Sequence, residues 1–222
     1  EEGLISHVLN SPLAALDKLT DADLNKRTKP SLSFRCGREN RAFPRLEAAR
    51  LMMVWPVASA DDQLAIAGAD LATTILAEGR RSRLVQKLRE ELQIVESIDM
   101  DVTTLEQGSL VMLEACCPED QIEQVEREIH QQLDKSLNTA ITDEELHRAM
   151  QLVGNGHRFS LEAPGAVAAS AGSQTLWGRH RDLLAPLQDL MQWNASSLRE
   201  RVMPLLQPQR SFTLIARSED NA

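Results

Sequence analysis

The spacing of the apolar residues changes in the middle of the chain, and that change restricts the fold more than any other feature. Over residues 82–92, Leu84, Val85, Leu88 and Leu92 recur at helical spacing, with Arg83, Lys87, Arg89, Glu90 and Glu91 between them. From residue 94 the period becomes two: Ile94, Glu96, Ile98, Met100 and Val102 share one parity. A short helix therefore runs into a strand with one apolar face. Glu78-Gly79-Arg80 makes the turn before the helix, and Ser82 is its N-cap. Glu96 is the odd member of the strand row, because a carboxylate on an apolar face is costly unless it is paired or open to water.

The rest of the chain supplies elements to pack against this unit. Residues 46–55 are nearly continuous in apolar side chains from Ala48 and stop at Pro56, which predicts a central strand buried on both faces. Leu64, Gly68, Leu71 and Ile75 give residues 61–77 a helical period, with Asp61 and Asp62 at its dipole-favoured start. Residues 109–117 form a second buried strand, reached through a hairpin turn at Glu106-Gln107-Gly108. Pro118 opens a long amphipathic helix that turns Ile122, Val125, Ile129, Leu133 and Leu137 inward. Thr142 and Glu145 form a capping box for the next helix, which carries Leu146, Ala149, Met150 and Val153. Residues 164–177, rich in Ala, Gly and Ser, suit a helix packed closely against a neighbour. Shorter helices are expected at 181–191 and, capped by Asn194, at 195–206, before a closing strand at 211–216.

At the other end, residues 3–10 give one or two turns of helix, 17–29 are polar, and 31–36 make a short strand. This order predicts an α+β fold, a two-layer sandwich with a mainly antiparallel sheet packed against helices. Residues 1–30 are a connector or the tail of a preceding domain, and residues 31–222 a single domain.

Composition narrows the function classes. The chain has 222 residues, enough for one well-buried core. Its 33 acidic against 24 basic residues give a net charge of -9, which disfavours a nucleic-acid partner. No apolar run has the length of a membrane span, so no membrane partner is expected. The odd set Cys36, Cys116 and Cys117, two of them adjacent in a predicted strand, argues against a disulfide framework and for a reducing, cytoplasmic location. The adjacent pair reads as small buried hydrophobes.

Several of these segments match one pattern. Ala77-Glu78-Gly79-Arg80-Arg81-Ser82-Arg83-Leu84, followed by Leu88-Arg89-Glu90, resembles a signature of the pitrilysin/insulinase/mitochondrial-processing-peptidase family of zinc metallopeptidases. Thr142-Asp143-Glu144-Glu145-Leu146 is similar to that family's T-x-x-E-L helix start, and Phe159-Ser160-Leu161-Glu162-Ala163-Pro164 to its S-L-E-S-P segment. The order of elements is similar too, over residues 31–216. The resemblance implies a processing-peptidase-like α+β domain.

It does not imply a catalytic site. The family's zinc is held by His-x-x-Glu-His and a distant Glu, and none of His7, His130, His147, His157 or His180 stands in such a motif. Glu144 and His147 have the spacing of a carboxylate–histidine metal pair, but a single copy reads as a solvated polar face. What the resemblance implies is the non-catalytic, substrate-cradling half, with no catalytic residue and no metal ligand of its own. Zinc would sit in a homologous partner domain or subunit, and the substrate would be a peptide.

In that half, an Arg and a Tyr seven residues apart hold and polarise the substrate backbone. Arg89 aligns with the Arg; Glu96 stands where the Tyr would, and the chain contains no Tyr. An ionised carboxylate would repel a developing oxyanion rather than stabilise it. Arg89 and Glu96 are therefore the expected substrate-binding residues, and an ion pair between them would satisfy Glu96. The alternative is a degenerate, non-enzymatic homologue serving as a scaffold or peptide-binding module. A self-contained enzyme of another family finds no nucleophile–base constellation here. The Arg80-Arg81-Ser82-Arg83 cluster reads as a solvated turn before an anion site, and Asn194-Ala195-Ser196 as a helix cap before a glycosylation sequon.

Overall fold

The structure is a computed structural model that describes residues 2–15, 32–176, 178–179 and 181–219. It consists of two compact units, Glu1–Leu32 and Ser33–Ala222. In the first, helix α1 (Glu2–Leu9) is followed by a 3-10 turn (Pro12–Ala15), and Leu4, Ile5, Val8 and Leu9 of α1 are exposed. The polar stretch 17–29 lies outside the described residues.

The second unit is built on a sheet of β1 (Gly37–Phe43), β2 (Ala49–Pro56), β3 (Ser97–Thr103), β4 (Leu110–Cys117) and β5 (Phe212–Ser218). Their order is β1-β5-β2-β4-β3; the β1–β5 pair is parallel and the other pairs are antiparallel. The helices are α2 (Gln63–Ala77), α3 (Ile122–Asn138), α4 (Asp143–Ser160), α5 (Pro164–Leu176), α6 (Ala185–Met191) and α7 (Ala195–Arg201). The fold is the expected α+β sandwich with a mainly antiparallel sheet.

Its core is made by the alternation of the strands. Leu51, Met53 and Trp55 of β2 and Val111, Leu113 and Ala115 of β4 are fully buried, as are Leu71, Ile75 and Leu76 of α2 and Ile122, Val125 and Ile129 of α3. The Trp55 indole N–H donates to the Gln207 carbonyl at 2.8 Å, so its polar tip is satisfied. Helix starts follow the residues expected of them. Asp62 accepts from Ala65 N at 3.0 Å, Thr142 and Glu145 form the capping box, and Asn194 makes another with Ser197.

Five expectations are corrected. The first strand is Gly37–Phe43, not residues 31–36; it is an edge strand, almost wholly exposed, and its partner β5 lies at the far end of the sequence. Strand β2 is buried on one face only, because Arg50, Met52, Val54 and Pro56 alternate with the core residues on the face away from them. The helix after Ser82 is a π-helix, Val85–Glu91, in which Leu92 N donates to Lys87 O at 3.0 Å, a five-residue step. Strand β3 begins at Ser97 rather than near Ile94. Helix α5 buries no residue, so the expected close packing of its small side chains is not formed among the described residues.

Candidate functional site

The turn before the π-helix is held from both sides. Gly79 takes φ 77°, a conformation that glycine adopts without strain, and its carbonyl accepts from Ser82 N at 3.0 Å and Ser82 Oγ at 2.7 Å. Arg148 of α4 donates to the Glu78 carbonyl at 2.9 Å. Leu84, Val85 and Leu88 then anchor the π-helix in the core.

The arginines of this segment are distributed differently from one another. Arg80 pairs with Glu90 at 2.6 Å, Arg81 with Glu144 at 3.2 Å, and Arg83 with Glu145 at 2.7 Å. The cluster is thus neutralised by carboxylates, which disfavours an anion site. Arg89 is exposed and makes no ion pair or hydrogen bond among the described residues. Short π-helical segments are frequent at functional sites.

Glu96 lies apart from it. Gln93 follows the π-helix with φ 54°, and both Ile94 and Val95 are buried, so the two-residue period starts only at Ser97. That break frees Glu96 from the apolar row of Ile98 and Met100 and turns it to solvent. Its backbone N–H donates to Cys116 O at 2.8 Å, and Cys116 Sγ lies 3.7 Å from its Oε2. Burial and then the Glu96 charge push the Cys116 thiol upward. The expected Arg89–Glu96 ion pair is not formed. The physical reason is the wide turn and left-handed Gln93 between the two residues, which a straight helix-to-strand junction does not have.

Cys116 belongs to the sheet face that, among the described residues, no helix covers. Across it, register places Glu39, Leu214, Met52, Glu114 and Asp99 in one row, and Gly37, Phe212, Val54, Met112 and Asp101 in the next. Its centre is apolar and half-buried, and its β3–β4 margin is acidic. Arg50 pairs with Glu114 there. Partial burial, then Glu114 and Asp101, raise the Asp99 carboxyl above its ordinary value. The alternation of Asp99 and Asp101 with Ile98 and Met100 is the sequence signal for this margin.

A second recess, of about 420 Å³, lies between α2, α4 and α6 and includes Asp70, Glu78, His157 and Asp189. His157 Nε2 is 2.7 Å from Leu183 O, and Arg181 holds Asp189 at 2.8 Å. Burial, then the charge of Glu78, pushes Asp70 up to about 6 from an ordinary 3.8. The folded state therefore holds this proton more tightly than the unfolded chain does. The resulting stability is present below the unfolded value and is lost as pH rises through about 6. Asp70→Asn should raise stability by about 1–2 kcal/mol at neutral pH and change little near pH 4. Urea midpoints at the two pH values test this; equal effects at both would contradict it.

The described donors do not gather into a zinc site. Among the described residues no group of three His, Cys, Asp or Glu side chains converges, and Glu144 is engaged by Arg81 rather than by His147. His180 lies outside the described residues. No described helix is long and apolar enough to cross a membrane. A larger recess of about 800 Å³, between the π-helix and α3, includes neither Arg89 nor Glu96.

A one-face α+β sandwich with an open sheet is the kind of domain these observations define. The family model described as the peptidase M16 inactive domain matches residues 5–153, and the chain belongs to that family. No curated protein matches the sequence. Among solved structures, a protease from Helicobacter pylori is 17% identical with a TM-score of 0.74, over 88% of this chain and 48% of that one. A peptidase M16 inactive domain from Pseudomonas fluorescens is 14% identical with a TM-score of 0.71, over 83% and 44%. A chain of complex III2 from Candida albicans is 14% identical with a TM-score of 0.69, over 87% and 50%. At such identities the likeness is one of fold. The chain spans about half the length of these relatives.

Proposed function

We propose that this domain is the substrate-cradling half of a two-domain or two-subunit zinc metallopeptidase acting on peptides. The membership in the peptidase M16 inactive-domain family carries the reading. The zinc is on a homologous counterpart, and this half turns its uncovered sheet face, with Glu96 at the edge, toward the peptide. Arg89, unpaired and exposed, is the group that grips a substrate carbonyl. The three free thiols go with a cytoplasmic location.

A second reading is favoured by a specific residue. Glu96 replaces the expected phenol donor, and a chain of complex III2 carries the same fold, so a scaffold or peptide-binding module without catalysis is the alternative.

Zinc analysis and peptidase assays on the chain alone, then with its zinc-bearing counterpart, test both. The chain alone should retain no stoichiometric zinc after dialysis and cleave nothing. Added to the counterpart, it should raise peptide cleavage, and Arg89→Ala should remove most of that gain. Complex formation with no gain in cleavage would select the scaffold reading. Chelator-sensitive proteolysis by the chain alone would overturn both.

A further inference from the structure

The recess between α2, α4 and α6 combines apolar walls with a carboxylate that nothing neutralises. Ile66 and Ala67 of α2, Leu152 and Val153 of α4, and Pro186 and Leu190 of α6 make the walls. Asp70 lines the same recess, half-buried, and its side chain makes no hydrogen bond or ion pair among the described residues.

The charged groups around it are committed elsewhere. Arg181 holds Asp189, Arg148 donates to the Glu78 carbonyl, and His157 Nε2 meets Leu183 O. Glu78 accepts from Thr74 Oγ1 at 3.1 Å and adds a second negative charge. Strand β3 also packs on α2, and it turns apolar Ile98 and Met100 inward. Burying an unpaired charge is costly, and a bound cation offsets that cost.

The mouth of the recess is kept open by a residue that packing does not require. Gly156 of α4 lines it and is exposed, and a Cβ there would meet nothing within 4 Å. Glycine inside a helix is unfavourable, so a side chain at this position would help the helix while narrowing the recess.

From this geometry we infer that the recess binds a primary ammonium carried on an apolar stem. The ammonium donates to the Asp70 carboxylate, Glu78 adds to the attraction, and the stem lies along Ile66, Leu152 and Leu190. Its volume of about 420 Å³ is that of a small-ligand pocket. A lysine side chain and a free alkylamine share this chemistry. The site lies on the helical side of the sheet and is independent of the peptide-cradling reading of the uncovered face.

Backbone amide NMR shifts of the whole chain, titrated with hexylamine, hexanol and N-acetyl-lysine methylamide, test this. Hexylamine should shift the amides of Ile66, Ala67, Thr74 and Gly156. It should bind about tenfold more tightly than hexanol, which keeps the stem without the charge. Saturable shifts with the lysine amide as well would make a peptide-borne side chain an occupant, and shifts with hexylamine alone would restrict the site to free amines. Either result bears out an ammonium site.

Asp70→Asn should bring hexylamine down to the hexanol value. Gly156→Leu should block both ligands, and with open space at its Cβ it should leave the fold intact. The ammonium needs the ionised carboxylate, and burial pushes Asp70 up to about 6. The hexylamine Kd should therefore rise about fourfold from pH 7.5 to pH 5.5. His157→Gln removes the imidazole and should keep that dependence. Equal binding of hexylamine and hexanol, an affinity unchanged by Asp70→Asn, or shifts confined to the uncovered sheet face would overturn the site. So would binding that strengthens as pH falls. None of these results touches the peptide-cradling reading.

Discussion

Trp193→Ala should destabilise the domain by about 3–5 kcal/mol, the range for deleting a buried aromatic side chain. Trp193 follows α6 and is 5% exposed. Its indole N–H donates to Leu64 O of α2 at 3.0 Å, and the Arg201 guanidinium of α7 lies 5.0 Å from its ring centroid. One side chain thereby ties the C-terminal helices to the helix that covers the sheet.

Gly68 is the other half of that contact. A Cβ there would lie 2.4 Å from Trp193 Cζ2, closer than atoms can approach, so the ring must move before any side chain fits. Gly68→Val should therefore cost about 1–3 kcal/mol by overpacking, well beyond the few tenths that the better helix propensity of valine returns. The double variant should cost less than the sum, because the alanine vacates the space that the valine needs. Urea titrations with unchanged m-values would measure all three. A Trp193→Ala loss under about 1 kcal/mol would contradict the wedge role.

Breaking the Arg83–Glu145 pair is the second large effect, about 2–4 kcal/mol for Arg83→Ala. The two side chains are 14% and 21% exposed and bond twice, at 2.7 and 2.9 Å. Arg83 also donates to Ala140 O at 3.0 Å, while Glu145 accepts from Thr142 N at 2.8 Å in the capping box. One carboxylate thus joins the start of the π-helical segment to the start of α4. Removing Arg83 leaves a shielded charge with only its cap, whereas Arg83→Met with Glu145→Gln removes both charges and should cost less.

The same pair has a pH signature. Burial pulls the Glu145 carboxyl up, but Arg83 and the Thr142 N–H together hold it below its ordinary 4.5. Stability from this group is present above 4.5 and is lost as pH falls through the lower folded-state value. The cost of Arg83→Ala should accordingly shrink in acid; a penalty constant from neutral pH to about pH 3 would mean that the ion pair is not its source.

How much of the candidate site could be read in advance differs by residue. Arg89 was legible as a helix-borne arginine because Leu84, Val85 and Leu88 mark the buried side of its segment. The π-turn was not legible, because those same residues fit an ordinary helix equally well. Glu96 was legible as an anomaly in the row from Ile94 to Val102, yet its partner was assigned wrongly. Parity carries across a junction only if the backbone stays regular, and Gln93 does not. The acidic margin was written in the alternation of Asp99 and Asp101. That it flanks an uncovered face depends on where the helices lie.

By itself the sequence determined the elements whose signals are local. The Thr142 capping box, the inward row of α3 and the one-sided strand Ile98-Asp99-Met100 follow from hydrogen bonding and periodicity within a few residues. Tertiary structure alone decided the rest. The polar segment Gly37–Phe43 has no apolar alternation and becomes a strand only because β5, far along the chain, lends it a parallel edge. The apolar run of β2 looked buried on both faces, and only the placement of every covering helix on one side left Met52 and Val54 facing outward. Pairing and coverage are long-range, and hydrophobicity says that a residue will be buried more readily than it says by what.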